Sequence, residues 1–374
     1  TDTKLVMDGC SISNNTAAGF AGGAYFYVPA EQTMDIEVKN SHFDNNTATG
    51  NCGGVYVRDD SGTNKMNITF TNSTFNGNAG GMGGCILVNN TKLTFKGCEF
   101  KGNKNNGNGI MYMYTTNTGG EIELTMDGCS YVENVPAEGA SAGLIGGIYL
   151  YTNHTSHTIK AYITNSYFAN NKANGRAASI YMRNAKVDKT YLYVANCTFA
   201  NNWAGSLGSA INLYGTAAYT VDANVVSCTA TGNVSTNETN LGTFCCETKG
   251  TTMNIYNTIS SGNLTGAGAA ADTNNKAGVM TIKNSIIGAD YYGADAAVAA
   301  VSPVFDYATM LSAFNGGVVK LVGNASSNPA FGNGMTATDL KALAEGNMTA
   351  DILAKDQMGN ARSDSDKIIG ACVK

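Results

Sequence analysis

The feature that most restricts how this chain can fold is a phrase that returns along its length. An aromatic residue, two further residues and an asparagine lead into a small-residue gap and then a short apolar run, as in "NSTFNGNAGGMGGCILV" from Asn72. Aligned on the asparagine, ten copies fall at Asn15, Asn46, Asn78, Asn103, Asn134, Asn171, Asn202, Asn233, Asn263 and Asp290. Most are about 31 residues apart, a period that points to a solenoid. Leucine-rich and helical repeats do not fit. Leucines are few, helical periodicity is missing, and the segments are rich in β-branched and aromatic residues.

Each unit parses into three short strands. The first alternates, as in "MDIEVK", "KMNITF", "EIELTM" and "KTYLYV"; the second is brief, as in "SHF", "STF" and "CTF"; the third follows the glycines, as in "GGAYFY", "GGVYVR", "GGIYLY" and "ASIYMR". Between the first and second strands sits one residue: Gly9, Asn40, Asn72, Gly97, Gly128, Asn165, Asn196, Ser227, Asn257 or Asn284. Glycine and asparagine enter the left-handed region at low cost, so every unit is expected to bend sharply there.

The repeat removes several other readings. A phosphate-binding loop would need one glycine cluster before a helix, whereas these clusters recur unit after unit with no helix following, so they read as corners of a coil. The repeated asparagines are expected to hydrogen-bond from rung to rung. Cys10, Cys98, Cys129, Cys197 and Cys228 share one repeat position that Ser or Thr fills elsewhere, which says small and inward. At rung spacing their parallel Cβ vectors sit slightly too far apart for an unstrained disulfide. The adjacent Cys245 and Cys246 lack zinc-ligand spacing, and three histidines leave little for a metal. Sequons at Asn45, Asn67 and Asn196 arise naturally in ladders rich in Asn, Ser and Thr. A formal charge of -5 without a lysine or arginine cluster argues against nucleic acid. No apolar run reaches the roughly 18 residues of a membrane span.

A one-residue Asn/Gly corner between two short strands resembles the tight turn of pectate-lyase-like, right-handed parallel β-helices. The F-x-x-N phrase with its glycine pair resembles the repeat of bacterial polymorphic outer-membrane proteins and adhesin-like proteins. The resemblance implies an all-β, right-handed, three-sheet parallel β-helix of about ten rungs over residues 1–300. Residues 301–374 are expected to form a C-terminal cap packed on the solenoid end, where an unpaired sheet edge needs cover. Within it "TATDLKALAEG" reads as a short helix with a Thr or Asp cap. Gly359, Arg362, Gly370 and Ala371 match the ending of secreted β-helix proteins, although Cys372 stands where a Glu usually follows soon after.

The third strand carries the functional expectation. With Ala24, Val55, Ile148 and Ile180 inward, a first outward column reads Tyr25, Tyr56, Ile86, Tyr112, Tyr149, Tyr181 and Asn212. A second reads Tyr27, Arg58, Val88, Tyr114, Tyr151, Arg183, Tyr214 and Glu247. Tyrosine offers a flat apolar face with a polar tip, suited to sugars and to protein surfaces. Stacking within the coil is the competing account. The loops "RDDSGTNK", "YTNHTSHT" and "RNAKVDK" border the stripe, and "AEGASAG" at 137–143 is expected to lean over it. In the resembled family this sheet floors a polysaccharide groove, which implies a secreted or cell-surface, adhesin-like protein whose partner is a polysaccharide, a host-surface glycan or a surface protein. The alternative is a polysaccharide lyase or glycoside hydrolase in the same groove. That chemistry needs a basic residue with charge neutralisation, often by Ca²⁺, or a pair of carboxylates. The outward face offers Arg58, Asp59, Asp60, Arg183, Asp188 and Glu247, with Arg58, Asp59 and Asp60 the best local cluster and an ordinary solvated turn its competing account. No cofactor is otherwise expected. A passive spacer whose tyrosines merely stack is the third reading.

Overall fold

The computed structural model describes residues 2–29, 32–61, 66–116, 121–141, 145–155, 157–236 and 242–372. All ten corner residues named above adopt positive φ, between 47° and 63°, so the one-residue bend recurs in every rung. A second left-handed corner precedes each ladder asparagine, at Asn14, Asn45, Gly77, Gly102, Glu133, Asn170, Asn201, Gly232 and Gly262. The glycine pairs do something different. Gly53 and Gly54 are not left-handed; a Cβ on Gly53 would lie 2.3 Å from the Ala79 carbonyl oxygen, and one on Gly54 2.4 Å from that of Cys85. They allow one rung's backbone to press against the next, while the third bend falls on Ala21, Cys52, Gly83, Gly109, Ala177 and Gly208.

These bends wind the chain into a parallel solenoid. A first sheet of ten strands runs from Asp2–Asp8 to Val279–Lys283, and a third sheet of nine runs from Ala24–Val28 to Thr273–Asn275. The second sheet continues in parallel from Glu99–Lys101 to Ser285–Ile287 and is extended at its start by single bridges through Ser11, His42 and Thr74. Two-residue strands such as Thr47–Ala48 and Lys172–Ala173 follow the ladder asparagines, a fourth short side that the three-strand parse does not contain.

The coil makes about nine turns, one fewer than the repeat count implies. After Ile287 the chain reverses, and Asp290–Tyr292 pairs antiparallel with Ser285–Ile287, followed by Val298–Ala299. Asp290 therefore opens a closing hairpin and is not the tenth ladder position.

Inward side chains stack in register down the first sheet: Val38, Phe70, Phe95, Met126, Ile163, Val194, Val225, Ile255 and Ile282. Beside them the aromatics of the repeated phrase also stack, with ring centroids 5.3 Å apart for Phe43–Phe75, 5.0 Å for Phe75–Phe100 and 5.1 Å for Phe168–Phe199. The asparagine three residues later explains why the phrase is kept. Its backbone N–H donates to the Oδ1 of the next rung's asparagine at 2.8–3.1 Å from Asn15 through to Asn263. Its Nδ2 returns to the carbonyl of the preceding phrase's aromatic residue in most rungs, as Asn78 to Phe43 at 2.7 Å and Asn202 to Phe168 at 2.9 Å, and to Ile12 or Ala230 for Asn46 and Asn263. Each buried amide is thus satisfied; leaving one unpaired would cost about 1–3 kcal/mol. The last acceptor is Asp272 Oδ1, which takes both Asn263 N–H (3.1 Å) and Nδ2–H (2.8 Å). All ten cysteines are free thiols, and Cys98, Cys129, Cys197 and Cys228 are buried as their repeat position requires.

Residues after 301 are not confined to the solenoid end. Phe305, Leu311, Val319, Ala330 and Ile369 pack with Ala169, Ala200, Ile259 and Ile286 of the coil. The chain runs back along the first corner as far as Asn347, whose Nδ2 donates to Glu123 and Thr125. Three short helices punctuate it: α1 (Tyr307–Met310), α2 (Ala337–Lys341) and α3 (Ala350–Leu353). The segment read as a capped helix is α2, with Thr336 accepting from the Asp339 N–H. Corner asparagines hold the tail: Asn196 donates to the carbonyls of Ile352 and Lys355, and Asn257 to that of Ile368. The sequon at Asn196 is consequently closed.

Arg362 accounts for the matched ending. Its guanidinium donates to the carbonyls of Lys355 (3.1 Å) and Gly370 (2.8 Å) and to Asn196 Oδ1 (3.3 Å), and burial draws its pKa down to about 10.

Candidate functional site

Register fixes the stripe on the third sheet and corrects one rung. Tyr56 pairs with Leu87, and Leu87 with Tyr112, while Ile86 pairs with the inward Val55 and Met111. The first column therefore contains Leu87 in place of Ile86, and the second contains Asn89 in place of Val88. The run "CILVN" is apolar on both faces and gives no alternation from which to set its register.

The first column is a ladder of stacked rings, with centroids 4.8 Å apart for Tyr25–Tyr56, 4.9 Å for Tyr112–Tyr149 and 5.1 Å for Tyr149–Tyr181, broken at Leu87. Most of it is not open. Tyr56, Tyr112, Tyr149 and Tyr181 are buried in a small apolar cluster with Cys52, Ile145 and Ala177, which come from the turns ahead of the third-sheet strands. Burial pushes the Tyr149 hydroxyl up to about 12, with the charge of Arg183 drawing it the other way. Only Tyr25, 49% exposed at the N-terminal end, leaves this column accessible.

The second column is the accessible one. Tyr27 is 41% exposed and stacks on Tyr25 at 5.9 Å; Tyr114, Tyr151, Arg183 and Tyr214 are half-buried. Tyr151, Arg183 and Tyr214 follow one another in register, and the Arg183 guanidinium lies 5.1 Å from each ring centroid. Arg58 lies over Tyr27 at 5.8 Å.

All but one of the candidate carboxylates of this face are spoken for. Side chains alternate along a strand, so Arg58 and Asp60 share a face and pair at 2.7 Å. Asp59 turns inward, fully buried, and accepts the N–H groups of Ser61 (2.8 Å) and Met66 (2.9 Å), closing the loop between them. The three members of the expected cluster are therefore divided between the two faces of the strand. Residues 62–65 of that loop, 142–143 of the insertion expected to lean over the stripe and 156 of the loop "YTNHTSHT" lie outside the described residues. Glu247 is buried too. Arg176 grips it through Nε (3.0 and 2.9 Å) and Nη2 (2.7 Å), and Asn212 Nδ2 donates to it at 3.0 Å. Asp188 is exposed at the edge of the stripe.

Arg176 escaped the column reading because it belongs to a turn, not to a strand. A signal was present: the residue before the third bend is Phe20, Asn51, Met82, Asn108, Arg176 or Leu207, and only one of these is charged.

Chemically the face can stack against a flat ligand and donate hydrogen bonds from arginine and tyrosine. Acid–base hydrolysis needs two carboxylates free to exchange protons, whereas Asp60 and Glu247 are each ion-paired. Among the described residues no three His, Cys, Asp or Glu side chains converge as metal donors. None of their helices is long and apolar enough to cross a membrane. Comparison of the chain with family models, with curated proteins and with solved structures finds no match.

Proposed function

We propose that this chain is a secreted or cell-surface, adhesin-like solenoid that binds a polysaccharide or host-surface glycan along its third sheet. The observation that carries this reading is the second column, where Tyr114, Tyr151, Arg183 and Tyr214 stand in register and accessible on four successive turns, with Tyr27 three turns ahead of them. Rungs recur about 4.8 Å apart, so a ligand that meets several of them is most naturally a polymer. Tyrosine faces suit the apolar faces of sugar rings and their hydroxyls suit sugar hydroxyls, at low conformational cost. The lyase or hydrolase alternative has less support, since its candidate carboxylates other than Asp188 are paired or turned inward. The adhesin-like and pectate-lyase-like character rests on the resemblance of the repeat.

Affinity electrophoresis through gels holding acidic and neutral polysaccharides tests the proposal. Retardation by one polymer is expected, reduced roughly 10-fold in apparent affinity by each of Tyr27→Ala, Tyr151→Ala and Tyr214→Ala. These residues are the informative ones because Tyr149 and Tyr181 are buried, and truncating them confounds binding with stability. No retardation across the panel would remove the carbohydrate reading. Release of reducing or unsaturated ends from the retarded polymer would favour the enzyme.

A further inference from the structure

Three arginines reach the third-sheet face, and among the described residues two of them have counter-ions. Arg58 is paired with Asp60 and Arg176 with Glu247, each at 2.7 Å. Arg183 has no carboxylate within ion-pair distance among the described residues, and its Nε, shut from solvent, has no hydrogen-bond partner there. Glu247 does not relieve it, being held on both oxygens by Arg176 and additionally by Asn212. Both faces of the Arg183 guanidinium are covered, by Tyr151 and Tyr214 at 5.1 Å each. What remains is the in-plane edge carried by the Nη N–H groups, which can meet a carboxylate or sulfate through parallel hydrogen bonds. The Tyr149 hydroxyl is its polar neighbour but carries no charge, and a half-buried cation without a counter-ion is costly, a cost that a ligand anion offsets.

We propose that Arg183 is an oxyanion-docking point, so that the ligand of the stripe is an anionic glycan whose carboxylate or sulfate ester seats on this guanidinium edge while adjoining sugar rings lie on Tyr151 and Tyr214. This rests on the carbohydrate reading above and narrows it to an acidic class. The flanking rings hold the guanidinium in one plane, which fixes where the anion sits along the polymer. Lysine at this position would keep the charge and lose the planar pair of donors.

The test uses matched probes: dextran sulfate against dextran, and alginate against carboxyl-reduced alginate, each run with the wild type, Arg183→Met, Arg183→Lys and the off-stripe charge control Lys96→Met. The expected result is tighter binding of at least one acidic member, with that preference lost roughly 10- to 100-fold in Arg183→Met, partly kept in Arg183→Lys and unchanged in Lys96→Met. The pair that shows the preference distinguishes sulfate from carboxylate. Equal binding of acidic and neutral members, or a preference that survives in Arg183→Met, overturns the oxyanion site and leaves carbohydrate binding standing. If no polymer binds, the carbohydrate reading fails, and a second measurement decides the site alone. Inorganic sulfate or glucuronate is titrated while the arginine Nε–H resonance that disappears in Arg183→Met is followed. A saturating shift supports the site, and its absence overturns it.

Discussion

Two faces of the same coil carry stacked tyrosines and treat them differently. On the first sheet Tyr162 and Tyr193 stack at 5.0 Å and are covered by Leu340, Met348 and Leu353 of the tail. On the third sheet Tyr149 and Tyr181 stack at 5.1 Å under small turn residues, and the neighbouring column of Tyr114, Tyr151 and Tyr214 stays half open. Ring spacing is the same because the rung spacing sets it. A tyrosine ladder alone therefore does not mark a binding surface. What separates the faces is the cover laid over them and, on the third sheet, an arginine whose charge the described residues leave unmatched.

Removing the cover is the most forceful way to break this contrast. Arg362→Ala deletes the guanidinium that ties Lys355, Gly370 and Asn196 together; the Lys355 carbonyl keeps Asn196 Nδ2 as a donor, while the Gly370 carbonyl and Asn196 Oδ1 lose theirs. A loss of about 3–5 kcal/mol is expected. Limited proteolysis should then cleave after residue 301 first, and Tyr162 and Tyr193 should become accessible to iodination, making the closed ladder resemble the open one. Cleavage distributed over the whole chain would mean that tail and coil unfold together.

Single tyrosine truncations sharpen the contrast from the other side. Tyr193→Ala is expected to cost about 3 kcal/mol in chemical denaturation and to leave glycan affinity unchanged. Tyr151→Ala should cost under about 1 kcal/mol, because an exposed edge leaves a smaller void, and should weaken binding. Equal stability losses would show that the second column is packed as firmly as the covered ladder.

A change inside the coil should move both faces alike. Burial pushes the Asp272 carboxyl up to about 6 from 3.8. The folded chain then holds this proton more tightly than the unfolded one. Its stabilising contribution is present below about pH 4, is lost as pH rises through about 6, and stays lost above. Asp272→Asn carries the asparagine ladder one step further without a buried charge. It should raise stability at pH 7.5 by about 1–3 kcal/mol and flatten the dependence between pH 4 and 6. Hydrogen exchange should slow equally in the first and third sheets, and slowing confined to one would contradict a shared core.

The fold was legible because it is written many times over. Ten Gly, Asn or Ser corners at one repeat position all turned out left-handed, and the alternation read in strands such as "MDIEVK" is matched by burial, with Ile36 and Val38 inside. Legibility failed where local pattern carries no information. Around Ile86 both faces are apolar. At Asp290 the phrase continues after the chain has already reversed, and the ladder instead ends on Asp272, nine residues beyond Asn263. The stripe was found, but its depth was not. Whether Tyr149 is open depends on Ile145 and Ala177, and no residue within a strand specifies how far a turn will lean. The tail's path along the corner was equally hidden, since only a repeated element announces its own address.

The asparagine ladder has one more implication, which concerns direction. The backbone N–H of every ladder asparagine reaches forward to the following turn, and nearly every one sends a side-chain N–H the same way. The run is therefore polarised, with an unsatisfied donor pair facing the C-terminal end, and a side-chain acceptor is needed to end it. Asp272 is that group, playing toward the ladder the part an acidic side chain plays at the first turn of a helix. Everything upstream is interchangeable in this respect, because each asparagine presents the same acceptor backward and the same donor forward. The length of the coil is thus a free parameter of the architecture: whole turns can be spliced out or duplicated ahead of Asn263 while the terminus that closes them stays the same.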